Sequence, residues 1–416
     1  VLALTGLLVA PLAANAAGPA SLENVAAVGI CYLPDVDNEP ALQYDMDVVV
    51  PQGAIAKVIV KAEPFTLISR FFDTSQHIHG VATVPLGDYT VNVFVDDVLT
   101  STTSVSIDES LCATPEAAVD RVAGADRFEV AVNISKLAYP GTADIVFVAT
   151  GGNYPDALSA GPAAAHLGGP LLLTATESLV PNVANEIERL SPKEIVVVGG
   201  VNSISNGTFD QLKTLQTNIV RIGGADRYEA SRNLVTFAFG KTGASTAYVA
   251  TGANFPDALS AGAAAATESG PVLLVNGGSL ALDPSTKNSL TSLGVKDMVI
   301  AGGPNSVNPS LEKDLAKIGS VVRDGGTDRF AASVAINQRA FPTASRAFLS
   351  TGLNFPDALA GSAWAGAIGA PLYVTNRDCV PSTTLAAMAA QGVTRITLLG
   401  GPATLTPAVE SLKPCS

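Results

Sequence analysis

Residues 251–260 read TGANFPDALS, and nearly the same ten letters return as TGGNYPDALS at 150–159 and TGLNFPDALA at 351–360. Thr, Gly, Asn, Pro, Asp, Ala and Leu are common to all three, which sets Asn153/Asp156, Asn254/Asp257 and Asn354/Asp357 in register. Upstream of each copy stands Arg-x-x-Gly-x-Asp-Arg, as RVAGADR at 121–127, RIGGADR at 221–227 and RDGGTDR at 323–329. Downstream, an apolar run ends in a glycine pair at Gly200, Gly303 and Gly401. Three motifs recurring in one order at one period define a tandem repeat. Its units are read as 118–218, 219–320 and 321–416.

The pattern of the second unit gives the fold class. IVRI is a short β-branched run, and GGADRYEASRNLVTFAF has helical spacing. TAYVATG, PVLLV and KDMVIAGG then read as strands, alternating with helices over PDALSAGAAAA, PSTKNSLTSLG and SVNPSLEKDLAKIG. The strands are continuously apolar rather than alternating, so both faces of their sheet are covered, as in a parallel sheet with right-handed crossovers. The expectation is α/β: three small Rossmann-like parallel-sheet modules.

Local chemistry explains part of each motif. Pro256 suits the first position of a helix, where its missing N–H costs nothing. Asp257 falls in the first turn, where the helix dipole favours a carboxylate by about 0.3–1 kcal/mol. Asn254 can bond back to the turn. A second reading makes the same turns a ligand site, because open α/β sheets bind at the carboxyl ends of their strands. Asp126, Asp226 and Asp328 suit N-caps, with Glu129 and Glu229 completing a capping box that Ala331 leaves incomplete. Gly124, Gly224 and Gly326 suit a turn with positive φ. Arg127, Arg227 and Arg329 fall at helix starts, where a cation is misplaced. Either a carboxylate compensates, the PDAL Asp of the same or the next unit, or an anionic ligand does. A dinucleotide site is not expected: the turns lack GxGxxG, and a first-turn Asp would repel a pyrophosphate.

The chain has 416 residues, 47% hydrophobic and 15% charged, which excludes a disordered polymer. Its net charge of −13 is concentrated: residues 1–119 carry a net −11 and the repeats only −2. No basic patch suggests nucleic acid. Residues 1–17 are apolar, and Ala14-Asn15-Ala16 resembles a signal-peptidase site, so an exported protein with no membrane segment after cleavage is expected. Four cysteines fit that compartment, and the spacing favours Cys31–Cys112 and Cys379–Cys415. No HExxH, GxSxG or CxxC pattern appears, so neither catalysis nor a metal site is expected. His166 has no counterpart in the other units, while His77 and His79 could share a strand face. Residues 20–113 read as short strands, with a hairpin through Asp96-Asp97, and are expected to form an immunoglobulin-like β-sandwich. Asp35, Asp37, Glu39, Asp45 and Asp47 would form its solvated acidic face, calcium being the other use of such a cluster.

Taken together, RIGGADRYEAS, ATGANFPDALSAG, PVLLV and VIAGG, each in three versions, resemble the cell-wall-binding repeat 2 family of Gram-positive bacteria. The resemblance covers about 300 residues, 118–416, and leaves the N-terminal region outside. It implies modules packed about a pseudo-threefold axis, a pseudo-trimer within one chain. It also implies non-covalent attachment to the wall through an anionic, teichoic-acid-like polymer, with peptidoglycan as the other candidate partner. The candidate contacts are the Asn, Asp and Arg positions just named. An apolar triplet linked to anchoring in the family matches Leu171-Leu172-Leu173 and Val272-Leu273-Leu274, and departs to Leu372-Tyr373-Val374 in the third unit. Read from the residues, the triplet is a buried strand whose effect on binding is indirect. Trp364, where the other units have small residues, and Cys379 also mark the third unit as divergent. The expected function is a secreted, non-catalytic wall anchor without a cofactor, although divalent cations could bridge a near-neutral surface to a polyanion. Two alternatives stand: an adhesin working through its β-domain, and a modifier of a wall hydrolase.

Overall fold

The structure is a computed structural model, and it describes residues 21–32, 39–49, 56–62, 65–72, 74–83, 87–107 and 117–415. The chain divides into two compact units near residue 117. The expected signal segment, the Cys31–Cys112 pairing, Asp35 and Asp37 lie outside the described residues.

The N-terminal unit contains β1 (Ser21–Tyr32), β2 (Glu39–Val49), β3 (Ala56–Ala62), β4 (Phe65–Phe72), β5 (Gln76–Thr83), β6 (Gly87–Val95) and β7 (Val98–Ile107). They form two antiparallel sheets, ordered β1-β2-β5 and β4-β3-β6-β7. Met46 and Ile78 from the first sheet share one core with Val58, Val60, Val91 and Val93 from the second, which makes a sandwich. The fourth strand pairs with the third, whereas in the constant-type immunoglobulin order it joins the sheet of the first two. Asp96 and Asp97 turn the β6–β7 hairpin with φ of 51° and 63°, the left-handed pair of a tight type I′ connection.

From Ala117 onward the chain builds three four-stranded parallel sheets. Their strands are β8 (Ala118–Val122), β9 (Ile145–Thr150), β10 (Leu171–Thr174), β11 (Glu194–Val198), β12 (Ile219–Ile222), β13 (Thr246–Thr251), β14 (Val272–Val275), β15 (Asp297–Ala301), β16 (Ser320–Asp324), β17 (Arg346–Thr351), β18 (Leu372–Thr375) and β19 (Arg395–Leu399). The sheet orders are β10-β9-β11-β12, β14-β13-β15-β16 and β18-β17-β19-β8. The first strand of each sequence repeat therefore completes the sheet of the preceding unit. β8 closes the ring by pairing with β19, 277 residues away from Val122 at Leu399. The three units are α/β layers, as read, but they are interlocked rather than laid end to end.

Four helices follow in each unit: α1 (Arg127–Ala138), α2 (Ala160–Leu167), α3 (Pro181–Leu190) and α4 (Asn206–Leu215); α5 (Arg227–Phe239), α6 (Pro256–Thr267), α7 (Pro284–Ser292) and α8 (Pro309–Leu315); α9 (Arg329–Ala340), α10 (Pro356–Ala367), α11 (Ser382–Ala390) and α12 (Pro407–Glu410). α2 begins five residues later in the motif than α6 and α10 do, because Pro162 lacks an N–H and its ring crowds the carbonyl of Leu158. α2, α6 and α10 pack on one another at the centre. Small residues permit this: a Cβ on Gly366 would lie 2.3 Å from Ala266 Cβ, and one on Gly161 would meet the Ser362 hydroxyl. Outside them, α1 packs on α10, α5 on α2 and α9 on α6, so each unit grips the one before it.

The apolar triplets are the strands β10, β14 and β18, and every one of their side chains is buried. Leu171 and Leu173 face one core while Leu172 faces another. Trp364 is buried edge-on against Phe348, with the Arg346 guanidinium over its ring, so this departure of the third unit is one of packing. Cys379 and Cys415 form a disulfide, beside a bridge between Val380 and Pro414 that holds the chain's last residues.

Candidate functional site

The three Thr-Gly-x-Asn turns follow β9, β13 and β17, at the carboxyl end of each sheet. The strand-ending threonines shape them: Thr150, Thr251 and Thr351 accept from the N–H groups of Gly152, Ala253 and Leu353 at 3.1–3.2 Å. Asn153, Asn254 and Asn354 accept from the next residue's N–H at 2.9 Å and are exposed. That next residue is aromatic in every copy, and its ring points to the axis. Tyr154, Phe255 and Phe355 meet edge to face, with centroids 5.3, 5.4 and 5.9 Å apart. The Tyr154 hydroxyl donates to Ala253 O at 3.0 Å. The three turns thus converge on a single apex, with half-buried rings ringed by exposed Asn153, Asn254 and Asn354.

The aspartates of the motif do not share that exposure. Asp257 and Asp357 are buried, and Asp156 is half-buried. Each rests on the first glycine of the Gly-Gly pair. Gly199, Gly302 and Gly400 have φ of 108°, 114° and 115°, and a Cβ there would lie 2.3–2.6 Å from the carboxylate Oδ2. The downstream glycines therefore make room for the upstream carboxylate. Ser203 donates to Asp156 and Ser306 to Asp257, but the third unit has Thr404 in that place. Burial pushes the Asp257 carboxyl above its ordinary range, against the Ser306 hydrogen bond and the charge of Arg329. Burial pushes Asp357 up to about 6, with only the charge of Arg127 opposing.

Those opposing arginines belong to the following unit of the ring. Arg127 acts on Asp357 and Arg329 on Asp257, so the electrostatic partner is in the unit before, neither the same unit nor the next. Neither pair comes within 4.0 Å among the described salt bridges. Instead Arg227 Nη1 donates to Gly252 O at 2.6 Å, and Arg127 and Arg329 make the same bond to Gly151 and Gly352. The Arg127 guanidinium also lies 6.0 Å from the Phe355 ring centre. A helix-start arginine is tolerated because it satisfies an orphan turn carbonyl and faces a buried carboxylate across a unit boundary.

The rest of the upstream motif is structural. Asp126, Asp226 and Asp328 cap α1, α5 and α9. Glu129 and Glu229 reach back to the N–H of Ala125 and Ala225 at 2.6 Å. Gly124, Gly224 and Gly326 are not at positive φ, contrary to expectation. They are small because a Cβ would strike the helix start, 2.4–2.7 Å from the amides of Val130, Ala230 and Ala332. The first arginine staples the exchanged strand to the Gly-Gly turn: Arg121 to Gly400 O, Arg221 to Gly199 O and Arg323 to Gly302 O.

His166 stays outside this site. It stacks on Phe239 at 4.3 Å, and burial holds it below the ordinary imidazole value. His77 Nδ1 lies 2.9 Å from Asp47 Oδ1 across β2 and β5, so one member of the acidic cluster is engaged there. Among the described residues no cluster of three His, Cys, Asp or Glu is placed to hold a metal ion. No described helix is long and apolar enough to cross a membrane.

Residues 121–209, 221–312 and 323–410 match the family "Cell wall binding domain 2". The chain belongs to that family. It is 29% identical over 296 residues to the N-acetylmuramoyl-L-alanine amidase LytC of Bacillus subtilis, covering 71% of this chain and 58% of that protein. It is 28% identical over 268 residues to the amidase enhancer of the same organism, covering 64% and 36%. It therefore spans from about a third to somewhat more than half of the length of these relatives. Among solved structures it is similar to Cwp6 from Clostridium difficile, with TM-score 0.67 and 21% identity over 89% of this chain and 66% of that one. For Cwp8 the TM-score is 0.65 and the identity 21%, over 95% and 62%. At that identity the likeness is one of fold.

Proposed function

We propose that the chain is a non-catalytic anchor that holds an exported protein at the cell surface, and that the apex of the three repeats is its contact with an anionic wall polymer. The observation that carries this reading is the convergence of three Asn-x-Pro-Asp turns on one aromatic apex within a cell wall binding family. The exposed amides of Asn153, Asn254 and Asn354 offer donors and acceptors, and the rings a stacking surface for sugar. Arg127, Arg227 and Arg329 supply positive charge, each with N–H groups beyond the one bound to glycine. Asp156, Asp257 and Asp357 set the apex from beneath rather than touching the polymer, and the buried triplets act only through the fold. Because the turns meet at one place, three copies make one composite site and not three separate ones.

The test is co-sedimentation of the chain with purified Gram-positive walls, before and after acid removal of the secondary polymers, with and without EDTA. Binding lost on stripping supports the polymer, and binding that survives it supports peptidoglycan. Loss with EDTA assigns a bridging cation. No sedimentation with either wall overturns the anchor. Exposed Phe71, Val98 and Leu99 favour a second reading, in which the β-domain is an adhesive or sugar-binding head. The likeness to an amidase enhancer supports a third, modulation of a wall hydrolase, which zymography with added chain would reveal.

A further inference from the structure

The second unit breaks the threefold pattern at one place. Between β14 and α7 the loop has eight residues, against six between β10 and α3 and six between β18 and α11. In the first and third units a strand-ending threonine ties this loop down: Thr174 Oγ1 bonds to Ser178 O and Val180 N, and Thr375 Oγ1 to Cys379 O. The second unit has Val275 instead, which can make neither bond. Two further positions change with it. Val132 and Val334 pack in apolar clusters, and their counterpart is Arg232. Phe128 and Phe330 become Tyr228, which adds a hydroxyl. At this place the second unit has a cavity of about 130 Å³ lined by Arg232, Asp283, Tyr228, Asn276 and Ser279.

We propose that this cavity binds one neutral sugar ring. Arg232 Nη1 donates to Asp283 Oδ2 at 3.0 Å and to Thr286 Oγ1 at 3.4 Å. Asp283 Oδ2 also caps α7 through the Thr286 N–H at 3.1 Å. This fixes both groups and leaves the other guanidinium N–H groups and Asp283 Oδ1 for a ligand. A donor beside an acceptor on a rigid pair is what two adjacent hydroxyls of a pyranose require. Val275, Leu282 and Leu311 supply an apolar wall for the C–H face of a ring. An anion is disfavoured, because Asp226 and Asp283 outnumber Arg232 along the lining. Asp226 Oδ1 is also committed to capping α5. None of its lining residues is one of the residues assigned to the apex contact, so the two sites can be tested separately.

The experiment titrates the whole chain, followed by saturation-transfer NMR and calorimetry, with neutral hexoses and N-acetylhexosamines, and separately with a uronic acid, inorganic phosphate and calcium. Arg232→Val is the informative variant, because valine already occupies this position in the two other units and the fold accommodates it there. Asp283→Asn keeps the volume and a cap. The expected result is saturable binding of at least one neutral sugar, weakened by about tenfold or more in both variants, a loss near 1.4 kcal/mol. Wall co-sedimentation through the apex should be unchanged in Arg232→Val, which separates this proposal from the anchor. Preference for phosphate or uronic acid, binding of calcium alone, no neutral sugar bound, or an unaffected Arg232→Val variant would each overturn it.

Discussion

Asp357 illustrates how a residue repeated in sequence can differ in chemistry. Its carboxyl is pushed from the ordinary 3.8 up to about 6 by burial, so the folded chain binds a proton that the unfolded chain has released. The sign follows: this group's stabilising contribution is complete below about pH 4 and is lost as pH rises through about 6, amounting to about 3 kcal/mol at most. Asp357→Asn should flatten the stability profile over that window relative to the parent, measured by urea unfolding at pH 4.5 and pH 7.5. An equal pH dependence in both proteins would refute the assignment. The glycine beneath it gives a second prediction. At Gly400, φ of 115° and a Cβ 2.4 Å from Asp357 Oδ2 make Gly400→Ala costly, by about 2–4 kcal/mol. At Gly401 the nearest atom to a Cβ is 3.8 Å away, so Gly401→Ala should change the unfolding midpoint little.

Among the elements, the alternation of strands and helices was plain in the spacing, because continuous apolar runs and helical runs were separated by Gly, Pro and Asp caps. All eight elements read in the second unit are present where expected. The phase of the repeat was not legible. A period identifies a unit but not where its sheet begins, and the strand that opens each sequence repeat hydrogen-bonds into the sheet before it. The apex was half legible: Asn153, Asn254 and Asn354 stood out as identical columns, while the aromatic column beside them, written Tyr, Phe and Phe, did not. The signal for the second-unit cavity was present too, as arginine where its counterparts are valine, but only alignment of the structures gives it meaning. The closing strand β8 is held by Asp120, which bonds to Arg395 at 2.7 Å, and by Arg121, which bonds to Gly400 O at 2.9 Å. Arg121→Ala leaves that carbonyl without its donor and should destabilise the chain by about 2 kcal/mol. Amide exchange should accelerate in β19 more than in β11 or β15; uniform acceleration would mean that closure is not local to the third sheet.

At the scale of the whole molecule, the centre is built from helices of small residues and the apex from rings, both assembled only when three units are present. Replacing Asn153, Asn254 and Asn354 by alanine together removes exposed groups whose one intramolecular bond is to a neighbouring amide. The melting temperature should fall by only a few degrees, while wall co-sedimentation should drop by tenfold or more, about 1.4 kcal/mol or above. Unchanged sedimentation would move the contact away from the apex. The exchange of strands around the ring also constrains how the gene can change. Tandem repeats invite recombination that drops or duplicates one copy, and in an open solenoid such an event only shortens or lengthens the array. Here β8 must find β19, so a two-copy or four-copy product would have to close at a different angle, with an incomplete or crowded aromatic apex. Copy number is thereby constrained at folding, because the third sheet is completed only when β8 pairs with β19 across the ring of three.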